Sequence, residues 1–255
     1  MAIKLKSRDE IAIMREAGRI VGNTLEQLRA MIKPGLNVLE IEKFVREEFK
    51  RHGARETFLN YAPGDKKPYP SNICVSINEQ LVHGIPKNRV LQEGDIVTLD
   101  LGATFNGSVG DAAITLAVGK VNPIAEKLIQ VTEAALWEGI SAAKPGRHLN
   151  DVRGAIEDTI RASGFSIVKG YGGHGVGRDM HEEPHVENFR QRHKGPKLEA
   201  GLVLALEPMV NAGGPDVMEG PDGWTVSTKD GSLCCHFEHT IAISAGGEAE
   251  VLTLP

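Results

Sequence analysis

The stretch GDIVTLDLGATFNGSVGDAAITL, residues 94–116, reads as two strands folded about a turn. Asn106-Gly107 is the turn signal, because both residues tolerate the positive φ that a tight hairpin connection demands. In VTLDL the strand period of two puts Val97, Leu99 and Leu101 on one face and Thr98, Asp100 and Gly102 on the other. The returning strand carries Asp111, so Asp100 and Asp111 can project from neighbouring strands onto one face. Their separation of eleven positions (111 minus 100) fits a hairpin with a modest loop or bulge.

Two more carboxylates stand among strand-forming aliphatics, Glu207 in GLVLALEPMV and Glu238 in HFEHTIAIS. An ionised carboxylate in such company is costly unless it is paired or holds a metal. Any one of the four could be a salt-bridged acid, but four with few basic residues in the flanking strands point to a metal site. The glycine-rich segment GYGGHGVGRDMHEEPH sets His174 and His181 between the second and third acids. Its glycines allow close backbone approach to a ligand, although an ordinary turn would use them too. It lacks the Lys-Ser/Thr ending of a phosphate loop. Four carboxylates with one or two imidazoles carry more charge than one divalent ion balances. The set therefore reads as a two-metal hydrolytic centre suited to Mn, Fe(II), Co or Zn. His83 in VHGIP and His181, taken singly, are more often structural or surface residues than catalytic ones.

Outward from the hairpin, Ser7 followed by Glu10 forms a capping-box pattern, and Ile11, Met14, Ile20, Leu25 and Leu28 recur at helical spacing up to Lys33-Pro34-Gly35. This predicts one long amphipathic helix or two shorter ones. Asn37 and Glu40 open another, through Ile41, Phe44, Val45 and Phe49 to His52-Gly53. A proline-containing loop covers 57–71, and NICVSIN supplies a strand before the hairpin. Asn122-Pro123 starts a third helix that runs to about Ala143, and Asn150 is expected to cap a fourth that ends at Ser163-Gly164. The remainder reads as strand and loop, with Glu207 and Glu238 on separate strands. Two helices, a strand block, two helices and a second strand block predict an α+β fold of two similar halves, in one domain spanning 1–255.

The composition of 41% hydrophobic and 25% charged residues over 255 positions is that of a globular chain with a sizeable core. A net charge of -5 offers no general attraction to nucleic acid or anionic membranes. The opening MAIKLKSRDEIAIMREAGR breaks its apolar residues with charges, so neither a signal-peptide core nor a membrane span is expected there, and the location expected is cytoplasmic. Cys74, Cys234 and Cys235 lack C-x-x-C spacing, and a vicinal pair is a poor staple. Reduced thiols are expected, not disulfides or a structural zinc site.

At these residues the chain resembles the type I methionine aminopeptidases, whose pita-bread metallopeptidase fold is shared with aminopeptidase P and prolidase. The resemblance is carried by SINEQLVHGIP at 76–86, the hairpin at 94–115, GGHGVGRDMHEEPHV at 172–186, LALEPMV at 204–210, DGWTVSTKDGS at 222–232 and FEHTIAI at 237–243. It implies two pseudo-symmetric α/β halves whose curved antiparallel sheet is covered by helices. It implies removal of the initiator methionine from nascent proteins, near the ribosome exit, with preference for a small second residue.

The resemblance further implies that Asp100, Asp111, His174, Glu207 and Glu238 hold two divalent ions (Co2+, Mn2+, Fe2+ or Zn2+). Asp111 and Glu238 would bridge them, Asp100 would chelate one, and His174 and Glu207 would complete the other. Glu207 would act as general base, His181 would stabilise the tetrahedral oxyanion, and His83 would contact the substrate's backbone nitrogen and assist proton transfer. Tyr69, Cys74 and Trp224 would surround the methionine side chain. A monomer without nucleic-acid or membrane partners is implied.

Departures from the family pattern lie at Met180, where many relatives carry phenylalanine, at Val82 and Cys234, and in the longer loop YAPGDKKPYP, which leaves the pocket role of Tyr61 open. A proline-specific peptidase would use the same ligands, but the HGIP and DGWTV segments count against it. A non-enzymatic binding module on this scaffold would not need the ligands that stand intact here.

Overall fold

The caps that punctuate the sequence start the helices. In the structure, a computed structural model that describes residues 2–255, α1 (Arg8–Met31) opens on Ser7, with the Glu10 carboxylate accepting the Ser7 N–H at 2.9 Å. It is one unbroken helix. Asn37 and Glu40 do the same for α2 (Val38–Arg51), and Asn122 accepts from the Ile124 and Ala125 N–H groups at the start of α3 (Pro123–Ala142). The fourth start differs from expectation. Helix α4 (Leu149–Ser163) has His148, not Asn150, at its N-cap, and the Asp151 carboxylate accepts the His148 N–H at 2.8 Å. Asn150 lies inside the first turn because its amide is engaged elsewhere, accepting from Gln191 N–H at 2.8 Å and donating to Gln191 O at 3.2 Å.

Fifteen strands are found among the described residues. The first half supplies β1 (Arg55–Glu56), β2 (Cys74–Ile77), β3 (Gln80–Val82), β4 (Ile96–Phe105) and β5 (Ser108–Ala117). The second supplies β6 (Ser166–Ile167), β7 (Gly172–Gly175), β8 (Glu182–Glu187), β9 (Val203–Leu206), β10 (Met209–Asn211), β11 (Val217–Glu219), β12 (Val226–Thr228), β13 (Cys234–His236), β14 (Glu238–Ile243) and β15 (Ala249–Val251). The principal sheet runs β1-β4-β5-β14-β9-β7-β8, with β2 also on β4 and β15 also on β14, and every pairing is antiparallel. The two halves join where β5 meets β14.

The hairpin is tighter than expected. Its ten cross-strand pairs run from Ile96↔Ala117 to Phe105↔Ser108 without a bulge, and Asn106 (φ 46) and Gly107 (φ 79) alone make the turn. Positive φ at both positions matches the twist of the flanking strands, so no longer loop is needed.

Strand parity then sorts the side chains. Leu99, Leu101, Ala112, Ile114, Leu204, Leu206 and Ile241 face the four helices and join one buried cluster with Leu28, Ile41, Phe49, Leu128 and Leu136. Helix α1 lies almost directly on β5, since a Cβ at Gly110 would collide with the backbone of Gly18. The opposite face of the sheet carries the polar residues. The three cysteines are buried free thiols, and no helix among the described residues is long and apolar enough to cross a membrane.

Candidate metal centre

Cross-strand register gathers the acids. Asp100 stands opposite Ala113, which in turn stands opposite Glu238, and Asp111 stands opposite Gly102, so three carboxylates share the polar face of β4, β5 and β14. His174 on β7 and Thr240 on β14 both stand opposite Ala205, which puts His174 on that face as well. Glu207 follows Ala205 by two positions, but it lies just past β9 and not on a strand. Pro208 has no N–H to continue the ladder, and the chain there leaves for the small β13-β10-β6 sheet.

One ligand atom each from Asp111, His174 and Glu238 lie within 4.8 Å of one another. His174 Nε2 is 3.6 Å from Glu207 Oε1 and 3.9 Å from Asp111 Oδ2. Exposure is 9% for Asp100, 1% for Asp111, 6% for His174, 8% for Glu207 and 2% for Glu238, so water does little to solvate their charges. Burial, reinforced by the neighbouring carboxylates, pushes the carboxyls of Asp100, Asp111 and Glu238 well above the usual range, and burial alone raises Glu207 to about 8. Burial lowers His174 to about 3.

This donor set fits a divalent cation. Asp100 Oδ1, Asp111 Oδ1 and Glu238 Oε1 are buried without a hydrogen-bond partner, and the ion-pair partners of Asp111, Glu207 and Glu238 are imidazoles, not Lys or Arg. Leaving such oxygens unpaired in the interior costs about 1–3 kcal/mol each, more when charged. His174 Nδ1 donates to Gly175 O at 2.9 Å, which leaves the Nε2 lone pair facing the acids, the usual orientation of a metal-ligating imidazole. Hard oxygens with one nitrogen match the first-row divalent ions named above.

His236 belongs to the same cluster and was missed in the sequence. Its Nε2 lies 3.5 Å from Glu207 Oε2 and 4.0 Å from Glu238 Oε2, and neither ring nitrogen has a hydrogen-bond partner. Burial holds it down at about 4. The signal available was parity, since His236 precedes Glu238 by two positions.

A cavity of about 400 Å³ opens onto these groups. Phe58, Tyr69, Cys74 and Trp224 form its apolar wall, with Tyr61, Ile85 and Met180 packed against them. Tyr69 and Trp224 meet edge to face at 5.1 Å, and their polar ends are satisfied by Gly84 O at 2.9 Å and Lys67 O at 3.0 Å. His83 sits in the left-handed region (φ 59), its ring against Trp224 at 6.0 Å and Tyr171 at 6.3 Å, and burial lowers it to about 4.

His181 lies with its ring 4.2 Å from that of His174, and burial lowers its pKa. Tyr61, whose pocket role the sequence leaves open, belongs to the site. It lines the cavity, stacks on His181 at 5.4 Å and brings its hydroxyl 2.7 Å from His181 Nδ1. Asn60 N–H to Tyr69 O and Tyr69 N–H to Tyr61 O, both 2.9 Å, pinch the neck of the long loop, so the extra residues bulge away and Tyr61 stays at the site.

The model of metallopeptidase family M24 matches residues 12–245. Methionine aminopeptidase 1 of Bacillus subtilis is 47% identical over 242 residues, 95% of this chain and 96% of that protein. The crystal structure of methionine aminopeptidase from Thermotoga maritima has a TM-score of 0.95 at 41% identity, over 100% of both chains. The Xaa-Pro dipeptidase from Bacillus anthracis shares the fold alone, with a TM-score of 0.76 at 24% identity, and 61% of that chain is covered.

Proposed function

The chain belongs to metallopeptidase family M24, and on that premise we propose that it is a methionyl aminopeptidase that removes the initiator methionine from nascent polypeptides whose second residue is small. The observation that carries this reading is an orphaned acidic donor set beside a cavity of about 400 Å³ walled by aromatic rings and sulfur. A flexible thioether packs well on such a wall.

Asp100, Asp111, His174, Glu207 and Glu238 would hold two divalent ions. When bound, such ions supply a nucleophilic water at neutral pH and a Lewis acid for the scissile carbonyl. Glu207 takes the proton from the attacking water and returns it to the departing amine. His181 donates from Nε2 to the developing oxyanion, and its burial favours the neutral imidazole, which keeps that N–H. His83 contacts the backbone nitrogen of the substrate and assists the proton transfer. Tyr69, Cys74 and Trp224 receive the methionine side chain, and the confined cavity beside the metal ligands excludes a bulky second residue. Residues 1–255 work as one catalytic domain, monomeric and cytoplasmic, near the ribosome exit.

The test is release of methionine from Met-Gly-Met-Met by protein supplied with Mn2+, Co2+ or Fe2+, beside an Xaa-Pro dipeptide. Cleavage of the first and not the second is expected. Exclusive cleavage of the Xaa-Pro bond, or inactivity with every ion, overturns the proposal.

A further inference from the structure

The segment that carries His181 is tied at its start by backbone bonds from Val109 N–H to Gly177 O at 2.8 Å and from Gly177 N–H to Asp179 O at 3.2 Å. It joins β7 to β8 through residues 176–181, and the register between those strands shifts between the His174↔His185 and Gly175↔Glu182 pairs that flank it. A side chain holds the turn that follows. Glu182 Oε1 accepts the backbone N–H groups of Arg178 at 3.1 Å and Asp179 at 3.4 Å, and Glu182 Oε2 receives Lys6 Nζ at 2.8 Å. The Lys6 and Glu182 side chains are 7% and 6% exposed. Lys6 is itself tethered, since its N–H donates to Gly201 O at 2.7 Å and its ammonium also donates to Lys4 O at 3.0 Å. Gly177 completes the packing, because a Cβ there would strike both Glu182 Oε1 and Lys6 Cε.

A buried ion pair is a weak source of stability, since an apolar pair of the same shape often does as well. An apolar pair could not accept two backbone N–H groups from the turn that leads into His181. We therefore propose that Lys6 is a positioning residue for His181, acting through its buried ion pair with Glu182 to fix the loop that presents the imidazole to the substrate. This rests on the reading of His181 as the oxyanion donor. Lys6 lies in a separate cleft and not on the cavity wall, so it has no direct route to the reacting atoms.

The experiment is a double-mutant cycle on the metal-loaded enzyme with Met-Gly-Met-Met as substrate. Lys6→Met keeps the alkyl stem and removes the charge. Its kcat is expected to fall by about tenfold to a hundredfold, the cost of a misplacement near 1 Å, with KM and metal content unchanged. Lys6→Arg is expected to recover part of the loss. In a His181→Ala background Lys6→Met is expected to cost nothing further, which a merely structural role would not produce. Should Lys6→Met fail to fold, Glu182→Gln at near-constant shape enters the same cycle. Unchanged kcat in Lys6→Met or Glu182→Gln overturns the proposal, as does an equal loss with and without His181. Unchanged turnover in His181→Ala alone removes His181 from the reaction and overturns the proposal through its premise, a failure distinct from that of Lys6.

Discussion

The β4–β5 hairpin and the segment between β7 and β8 both deliver side chains to one cavity, and they hold them by different means. Asp100 and Asp111 are placed by ten unbroken backbone pairs closed by a two-residue turn. His181 lies in the connection beside a register shift, and its position depends on Tyr61 and on Glu182, which draws in Lys6 from 176 positions away. The hairpin fixes its acids whatever the neighbouring side chains are. The His181 segment can be loosened by one substitution far from the cavity. Changes among the acids should therefore alter metal content and leave the fold, whereas changes around His181 should alter turnover and leave the metal.

The strongest test of that contrast is Glu238→Gln, which keeps the side-chain shape. Metal content should fall, and turnover should drop beyond the roughly 10–100-fold that loss of a partner supporting a metal ligand costs. The metal-free variant should melt no lower than the metal-free parent, because the substitution removes a buried carboxyl that repels Asp111. Elemental analysis and melting curves in chelator check both halves. Full metal occupancy in the variant would break the comparison.

A smaller effect concerns pH. Glu207 stands at about 8 in the folded metal-free protein against 4.5 as its ordinary value, and Asp100, Asp111 and Glu238 are raised as well. A raised acid binds its proton more tightly folded than unfolded, so its contribution to stability is complete below about 4.5 and is lost as pH rises through about 8. Metal-free protein should therefore melt progressively lower between those limits, while the metal-loaded form should not follow, since its ligands are needed deprotonated. Calorimetry in buffers of different ionisation enthalpy should detect protons released on metal binding at neutral pH. A flat melting profile for the metal-free protein would mean that the carboxylates are already ionised.

The same contrast governs what could be read in the sequence. Asp100 and Asp111 were legible because a strand alternates with period two and Asn106-Gly107 announces its turn. The caps at Ser7, Asn37 and Asn122 were legible for a similar local reason. Asn150 misled, because its amide answers to the backbone of Gln191, a contact no local pattern reveals. His236 shares strand parity with Glu238, but its nearest acid, Glu207 at 3.5 Å, lies 29 positions away (236 minus 207), a contact that no local pattern reveals. Tyr61 and Lys6 were not legible at all. Their partners lie 120 and 176 positions away, and whether the long loop swings Tyr61 out or pinches it in depends on backbone hydrogen bonds that only the folded chain makes.

The smallest effect expected is that of Tyr61→Phe, and it separates two ways in which a side chain can hold His181. The substitution keeps the ring that stacks on the imidazole at 5.4 Å and removes only the hydroxyl 2.7 Å from Nδ1. If that hydroxyl donates to Nδ1, the imidazole proton sits on Nε2, the nitrogen left to serve the oxyanion. A neutral hydrogen bond contributes about 1 kcal/mol, so kcat should fall about fivefold, with KM, metal content and melting temperature unchanged. That is less than the loss expected for Lys6→Met, because the stacked ring still limits where the imidazole can go. A loss as large as that of His181→Ala would make the proton position, not the loop, the decisive constraint, and would put Tyr61 among the groups that act on the reaction itself. No loss at all would leave the Lys6–Glu182 clamp as the principal support of His181.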